Sequence, residues 1–448
     1  MRTMRLQLRG SSAESTIMWV GAAFFLSAAA TISPCPAETP TITGIGFISS
    51  SFKSSTAAQI SADGSTVSGY AAFTAAENRA IRWSRLGGIQ NLGPAASGGQ
   101  FPLSTYAGGL SNDGSVVVGV NDCCNGQAFR WTSASGLVYF PKLPGGETYL
   151  ASASALTGDG SRCVGQSSTN DGTRAVLWTG TTTVQSLGTL PGMRDSSASS
   201  ITNDGSTIAG TCTDTTVVPA VSRAFRWTGA GGMTNLGVVA GFASSGAAGV
   251  SANGSVIVGT SHNGSNTTQH GFRWKSGSGI EDLGTLPPAA ASSAIFVSAD
   301  GYLISGSTYD SANPIIADRT RAVIWTPKTG FVDLAEYLVA RGLDLSGWKL
   351  SSAGGVSADG RTLVGRGNHN GLPEGWVVTM AAQCPADLNN DDLVDDPDFV
   401  SFASAYDLFA CADPAMPQWC PADLNLDSFV DDSDFVLFAA AYDVFVCP

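Results

Sequence analysis

The residues best suited to chemistry are two sets of oxygen-bearing side chains near the C-terminus. The first set is Asp387, Asn389, Asp391, Leu393, Asp395 and Asp398, and the second is Asp423, Asn425, Asp427, Phe429, Asp431 and Asp434. Counted from the first Asp, side-chain oxygens occupy positions 1, 3, 5, 9 and 12, and the apolar residue at position 7 offers its backbone carbonyl. Carboxylates this close repel one another unless a cation neutralises them, and Ca²⁺ prefers six to eight oxygen ligands. The spacing therefore predicts two calcium sites.

A helix is predicted to follow each of these loops. Apolar residues recur at i, i+3, i+4 and i+7 in both copies: Phe399, Phe402, Ala403 and Tyr406, then Phe435, Phe438, Ala439 and Tyr442. Pro397 suits the first turn of the first helix. This loop-then-helix order matches the EF-hand ligand scheme, except that Asp392 and Ser428 stand at position 6, where Gly is usual. Because Asp adopts positive φ more readily than Ser, we expect the second site to be the more strained.

The acidic segment differs in charge from the rest of the chain. Residues 384–448, called the tail below, contain fourteen Asp and no Glu, Lys or Arg. The whole chain of 448 residues carries −13, so residues 1–383, called the body, sum to about +1. A near-neutral body attached to an acidic tail argues against binding of nucleic acid or anionic lipid.

The N-terminal residues are typical of an export signal. Arg2, Arg5 and Arg9 precede an apolar run from about residue 17 to residue 32, and Pro34 and Pro36 follow it. The run is short for a membrane anchor, so we expect residues 1–37 to be a signal peptide, the protein to be secreted or on the cell surface, and no membrane span to remain after cleavage. Eight cysteines would then remain, and an even number outside the cytosol favours disulfides.

A nine-residue pattern recurs seven times in the body, and its best example is Ser111–Gly119. Each copy centres on Asp-Gly or Asn-Gly between short apolar runs, which is a strong hairpin signal because Gly adopts positive φ without steric cost. The turn residues are Asp63, Asp113, Asp159, Asp204, Asn253, Asp300 and Asp359. The copies are 45 to 59 residues apart. A period near 50 with several short strands per repeat predicts a β-propeller.

Each repeat also contains an apolar strand that ends in Trp, such as Ala128-Phe129-Arg130-Trp131, and we expect four strands per repeat with the Trp buried between blades. The seventh repeat lacks one strand. We therefore expect residues 41–47 to complete the last blade, since an unpaired blade edge promotes aggregation. Leu334, Tyr337, Leu338 and Arg341 have helical spacing, with Gly342 as a stop, which predicts a short helix between blades six and seven.

The body resembles the bacterial extracellular repeats called the HAF family over residues 41–380. The resemblance rests on the Ser-x-Asp-Gly-Ser-x-Val-x-Gly runs, the Ala-Phe-Arg-Trp strands and the turn Leu187–Gly192. The His that precedes Ala-Phe in that family is kept only as His270. The resemblance implies a propeller-like fold and an exported setting, and it implies no ligand or reaction.

The tail resembles a dockerin, a pair of calcium loop–helix units that attaches exported proteins to a cohesin partner. The resemblance covers residues 384–448 and implies calcium-dependent docking to a cohesin-like or cell-surface protein. It departs at positions 10 and 11, which are Asp396-Pro397 and Asp432-Ser433, and in its flanking cysteines. We expect Cys384 to pair with Cys411 and Cys420 with Cys447; the pairing of Cys123, Cys124, Cys163 and Cys212 stays open.

The sequence thus predicts a mainly β protein, a seven-bladed β-propeller followed by a small α-helical dockerin-like calcium-binding domain. The propeller is expected to bind a protein or glycan partner without catalysis. The alternative is a polysaccharide-active enzyme of the glycoside hydrolase type, which needs paired carboxylates. The body shows no recurring pair of Asp or Glu outside the turns, and His262, His270 and His369 lack metal-binding spacing.

Overall fold

A computed structural model describes residues 39–93, 104–122, 126–146, 150–263, 265–310, 319–380, 388, 396–409, 422 and 429–442. Its strands form seven antiparallel sheets of four strands each. Each sheet is one blade, and the blades follow one another along the chain around a central channel. The seven-bladed propeller and the four strands per repeat are therefore confirmed. No described helix is long and apolar enough to cross a membrane.

The strands of the first six blades are consecutive in sequence. Blade 1 has β2 (Ser55–Ile60), β3 (Thr66–Ala72), β4 (Asn78–Ser84) and β5 (Gly88–Asn91). Blade 2 has β6 (Thr105–Leu110), β7 (Val116–Asn121), β8 (Gln127–Thr132) and β9 (Gly136–Tyr139). Blade 3 has β10 (Ala151–Leu156), β11 (Arg162–Thr169), β12 (Gly172–Thr179) and β13 (Thr183–Ser186).

Blade 4 has β14 (Asp195–Ile201), β15 (Thr207–Asp214), β16 (Val221–Thr228) and β17 (Gly232–Gly237). Blade 5 has β18 (Ser244–Val250), β19 (Val256–Asn263), β20 (Ser265–Lys275) and β21 (Gly279–Asp282). Blade 6 has β22 (Ala291–Val297), β23 (Ile304–Tyr309), β24 (Thr320–Thr326) and β25 (Gly330–Asp333). The first strand of each blade lines the channel.

Blade 7 joins the two ends of the propeller. It contains β26 (Trp348–Val356), β27 (Thr362–His369), β28 (Leu372–Thr379) and the N-terminal strand β1 (Thr41–Gly44). β1 pairs antiparallel with β28 from Thr41 opposite Thr379 to Gly44 opposite Trp376. Ile45 continues the contact through a backbone hydrogen bond of 3.0 Å to the Gly375 carbonyl, and it is buried in an apolar cluster that includes Ala57 of blade 1 and Val377 of blade 7. The prediction that residues 41–47 close the ring is confirmed.

The last Gly of the nine-residue pattern is required by a close approach of two strands. In each blade the inner strand carries a β-bulge opposite this Gly, as between Ala198 and Ser200 opposite Gly210. A Cβ built on Gly210 would lie 2.1 Å from the Ser197 carbonyl oxygen. The same distance is 1.9 to 2.1 Å at the equivalent glycines, Gly69, Gly119, Gly165, Gly259, Gly306 and Gly365. Any larger residue would push the inner strand out of the bulge.

Neighbouring blades are joined by a hydroxyl at the start of the inner strand. The Ala175 N–H donates to Ser196 Oγ at 2.8 Å, and the Ser196 hydroxyl donates to the Gly188 carbonyl of the Leu-Gly turn at 2.6 Å. Ser245 and Ser292 make the same pair of bonds one and two blades later. Five of the seven repeat Trp side chains are buried as predicted (Trp83, Trp131, Trp178, Trp325 and Trp376), and Trp227 and Trp274 are partly buried.

Three helices are present in the described residues. α1 (Leu334–Val339) lies between blades 6 and 7 as predicted, and the Asp333 carboxylate caps it by accepting from the Ala335 N–H at 2.9 Å. α2 (Asp396–Tyr406) and α3 (Asp432–Tyr442) are the helices predicted after the two tail loops.

Candidate functional site

The structure describes the helix side of both predicted calcium loops. Asp398, Phe429, Asp431 and Asp434 are among the described residues, and the other eight predicted ligands lie outside them: Asp387, Asn389, Asp391, Leu393, Asp395, Asp423, Asn425 and Asp427. Within the described part of the chain no three His, Cys, Asp or Glu side chains cluster as a metal site would require. The two calcium sites therefore stay predictions.

The position-12 carboxylates take equivalent places in the two tail units. Asp398 lies in the first turn of α2 and Asp434 in the first turn of α3, and both are fully buried. A carboxylate at a helix N-terminus is stabilised by the helix dipole. Asp434 Oδ2 also accepts from the Asp431 N–H at 3.0 Å, which brings positions 9 and 12 of the second loop together. These residues fit the half of a calcium loop in which position 12 closes the ligand set from the helix.

Aromatic rings join the two tail helices. The rings of Phe402 and Phe438 stack with centroids 4.8 Å apart, and Phe399 and Phe435 approach the opposite helix at 6.2 and 6.0 Å. The two helices α2 and α3 thus pack against each other.

The predicted apolar stripe is only partly correct. The buried face of α2 is Asp398, Phe402 and Ala405, whereas Phe399 and Tyr406 are 45% and 38% exposed. The face is rotated because the buried position-12 carboxylate, rather than the Phe that follows it, points inward.

The cysteines divide into described and undescribed groups. Cys163 and Cys212 are buried free thiols, so the expectation of disulfides fails for these two. They lie in separate blades, where each fills space in the apolar core, and burial raises the pKa of Cys212 to about 11. The predicted pairs Cys384–Cys411 and Cys420–Cys447, as well as Cys123 and Cys124, lie outside the described residues.

The turn carboxylates serve their own turns. In every repeat the Ser or Thr two residues earlier donates its hydroxyl to this Asp or Asn at 2.5 to 3.0 Å. The turn glycines have φ between 67° and 83°. Hydrogen bonds from the Thr157 hydroxyl and from the Ser161 amide and hydroxyl lower the pKa of Asp159 to about 2. The turn Asp and Asn side chains thus accept hydrogen bonds within their own turns, which is a structural role.

His262 and His270 lie on neighbouring strands of blade 5, and His369 lies in blade 7. His369 Nδ1 lies 2.8 Å from Glu374 Oε2, and its ring stacks on Trp348 at 4.0 Å. His270 Nδ1 lies 3.0 Å from Asp282 in blade 5. Burial lowers the pKa of His262.

A cavity of about 150 Å³ lies at the end of the channel where the seven Asp-Gly or Asn-Gly turns meet. All seven blades contribute an apolar residue to it from the end of the inner strand: Ile60, Leu110, Leu156, Ile201, Val250, Val297 and Val356. Gln59, Asn112, Asn203 and Phe296 also line the cavity, and Gln59 Nε2 donates to the Gly108 carbonyl at 3.2 Å. None of the described residues that line the cavity is charged. The sequence pattern did not reveal this site, because its residues lie one repeat apart in the chain.

Backbone hydrogen bonds between blades fix the rim of the cavity. The Ala62 N–H donates to the Asn112 carbonyl at 3.0 Å, and the Asn112 N–H donates to the Gly158 carbonyl at 2.9 Å. The bonds from Gly158 to Asn203, from Ala252 to Ala299 and from Ala358 to Ala62 continue the series at 3.0 to 3.1 Å. Five of the seven junctions between blades are joined in this way, so the rim is held in place before any ligand arrives.

No protein-family model matches this chain. No curated protein matches it either. Among solved structures, the chain is similar to oligogalacturonate lyase from Vibrio parahaemolyticus, with 10% identity over 76% of this chain and 97% of that one and a TM-score of 0.49. It is similar to the β-propeller domain of the Trilobed protease from Pyrococcus furiosus, with 7% identity over 73% and 95% and a TM-score of 0.48. For TolB from Acinetobacter baumannii the identity is 15% over 60% of this chain and only 62% of that one, and the TM-score is 0.41. These are likenesses of fold alone.

Proposed function

We propose that this protein is an exported, non-catalytic β-propeller that binds a partner and is docked through a calcium-dependent, dockerin-like tail. The observation that carries the proposal is the equivalent burial of Asp398 and Asp434, each at position 12 of its loop and in the first turn of its helix. A surface acidic segment would keep its carboxylates in water, whereas a calcium loop turns its twelfth residue inward.

The paired helices support docking by the tail as a unit. Phe402 and Phe438 stack between α2 and α3, so the two helices share an apolar contact. Calcium at either loop would then stabilise both helices, because the inward position of each Asp is part of the same packing. Binding energy for an ion that the unfolded chain does not hold adds directly to folding stability. Release of calcium is expected to loosen the tail and its attachment.

Binding by the propeller is supported by the placement of its acidic side chains. The turn Asp are engaged by hydroxyl and amide donors of their own turn, as at Asp113. Glu281 pairs with Arg273 at 2.7 Å, and Asp333 caps α1 while it pairs with Arg321. These carboxylates stabilise the fold, while the channel cavity offers neutral groups suited to recognition.

Calcium titration of the full chain tests the proposal. We expect calcium to bind with a dissociation constant at or below about 10⁻³ M, to increase the far-ultraviolet helical signal and to raise the melting temperature. The double variant Asp398→Asn with Asp434→Asn should lose most of this response, because one ligand oxygen of each loop becomes an uncharged amide. Asp407→Asn is the matched control, since Asp407 is exposed and lies outside both loops.

Attachment is then measured on the producing cell. The wild-type protein should be released from the envelope fraction by a calcium chelator, and the double variant should already be in the medium. A full chain that binds no calcium at millimolar concentration, or that stays attached after chelation, would contradict the proposal.

A further inference from the structure

We propose that the channel cavity binds the terminal sugar of a neutral glycan. The cavity is the one at the turn end of the channel, lined by Gln59, Asn112, Asn203 and Phe296 among others. This inference rests on the proposed binding function and names the ligand class. It is carried by the size of the rim, by the chemistry of its walls and by their lack of charge.

The rim is wide enough for only one small chemical group, of the size of a sugar ring. Paired strands lie about 4.8 Å apart, so seven backbones joined edge to edge enclose a ring about 11 Å across. The atoms of the chain itself occupy part of that width, and the cavity beneath measures about 150 Å³. This is room for a single sugar ring. A folded protein segment or a duplex is too wide to enter.

The walls offer what a neutral sugar needs. The carboxamides of Asn112 and Asn203 have both donor and acceptor groups, which match hydroxyl groups that do the same, whereas Gln59 Nε2 already donates to the Gly108 carbonyl. Asn112 of blade 2 and Asn203 of blade 4 both line the cavity and belong to the rim, with blade 3 between them. Phe296 presents an aromatic ring whose negative face attracts the C–H groups of a sugar ring. The apolar residues beneath the rim complete a pocket with few polar groups, as small-ligand sites have.

The blades differ in sequence at the position of Phe296 and at the rim position of Asn112 and Asn203. The residues equivalent to Phe296 are Gln59, Gly109, Ala155, Ser200, Gly249 and Gly355, so only blade 6 places an aromatic ring at this level. At the rim position, Asn112 and Asn203 replace the Ala found in blades 1, 5, 6 and 7. Fold requirements are the same in every blade, so these exceptions are not needed to close the ring.

Two junctions of the rim also keep backbone groups available. Among the described residues, no hydrogen bond joins Asn203 to Ala252 or Ala299 to Ala358, although the five other junctions are joined. The first junction without a hydrogen bond includes Asn203, which lines the cavity, and the second includes Ala299, which lies three residues after Phe296. Backbone N–H and C=O groups at these gaps can bind ligand hydroxyls without breaking the ring.

Charge argues against anionic ligands. No described lining residue is basic, and the exposed carboxylates Asp113 and Asp204 directly follow the lining residues Asn112 and Asn203 in the chain. A phosphate or a uronic acid would meet these carboxylates without a cationic partner in the cavity. Neutral hexoses and N-acetylhexosamines avoid this repulsion.

The test is ligand-detected NMR and calorimetry on the full chain with calcium present. The probes are glucose, galactose, mannose and N-acetylglucosamine, with glucuronic acid and an alanine-glycine peptide as contrasts. We expect saturation transfer to at least one neutral sugar and none to glucuronic acid. Phe296→Ala and the double variant Asn112→Ala with Asn203→Ala should each weaken binding at least tenfold, while Phe52→Ala, at an exposed ring outside the cavity, should not change it.

The outcomes separate this inference from calcium docking. Both Asn positions lie on the rim outside the strands, so the double variant keeps the fold even where Phe296→Ala does not. No saturation transfer to any neutral sugar, binding unchanged in the Asn variant, or preference for the peptide or for glucuronic acid would each overturn the glycan assignment. Calcium-dependent attachment measured on the same sample would still stand in those cases. Attachment that persists after calcium chelation, with sugar binding intact, would overturn docking instead.

Discussion

Replacement of Glu374 should weaken the attachment of the N-terminal strand β1 to blade 7, which closes the propeller. The Glu374 side chain is 9% exposed, and its Oε1 accepts from the Gly46 N–H at 3.0 Å, two residues beyond the closing strand β1. Its Oε2 lies 2.8 Å from His369 Nδ1. One carboxylate therefore connects the N-terminal strand to the last blade, in addition to the four residue pairs of β1 with β28.

The expected magnitude follows from these two contacts. A hydrogen bond to a charged acceptor contributes about 1.5–3 kcal/mol, and a donor left without a partner costs about 1–3 kcal/mol. His369 is about one-third exposed, so water replaces part of its contact. We expect Glu374→Ala to lower the free energy of unfolding by about 2–4 kcal/mol, and Glu374→Gln by about 1–2 kcal/mol because its amide oxygen still accepts from Gly46.

Urea unfolding monitored by tryptophan fluorescence measures this effect at fixed calcium concentration. The unfolding midpoint should fall in the order wild type, Glu374→Gln, Glu374→Ala, with the slope of the transition unchanged. Asp171→Asn, an exposed acidic position in blade 3, is the control and should stay within about 0.5 kcal/mol of wild type. Equal midpoints for Glu374→Ala and wild type would show that β1 is held by strand pairing and Ile45 alone.

Two further predictions concern the repeat. Gly210→Ala should lower the free energy of unfolding by about 2 kcal/mol or more in the same urea assay, because its Cβ would lie 2.1 Å from the Ser197 carbonyl oxygen. Gly229→Ala is the control and should be neutral, because no atom lies within 4 Å of a Cβ built there. Equal losses in the two variants would contradict the bulge explanation. The pKa of Asp159 is lowered to about 2, so its contribution to stability is present above about pH 4 and is lost as the pH falls toward 2. Carboxyl NMR titration of the native protein measures this, and a midpoint near 4 would contradict it.

Local signals made the architecture predictable. Asp-Gly between apolar runs specifies a hairpin from four adjacent residues, and seven copies at a regular period specify seven blades. The spare strand at residues 41–47 followed from counting strands against blades. α1 was predictable because Leu334, Leu338 and Gly342 carry the helix period and its stop within nine residues.

Features that depend on contacts between repeats were not predictable in the same way. The reason for Gly210 lies in a bulge on another strand, and the partner of Ser196 lies in the previous blade. The rotated face of α2 depends on the inward turn of Asp398, which a hydrophobic pattern counts as polar. The cavity gathers residues that are each about one repeat apart, so no window of sequence contains it.

The repeat itself indicates where function lies. A residue present in all seven blades is explained by contacts within each blade or to the next, as the Asp159 turn and Gly210 show. Side chains at such positions already make the contacts that the fold requires, and few of their groups remain to bind a ligand. The fold does not require a particular residue at positions that differ between equivalent blades, because the ring also closes with Ala or Gly there. Phe296, Asn112 and Asn203 are of this kind, and all three line the same cavity. Three departures from the repeat pattern that meet at one site are therefore better explained by a ligand than by packing.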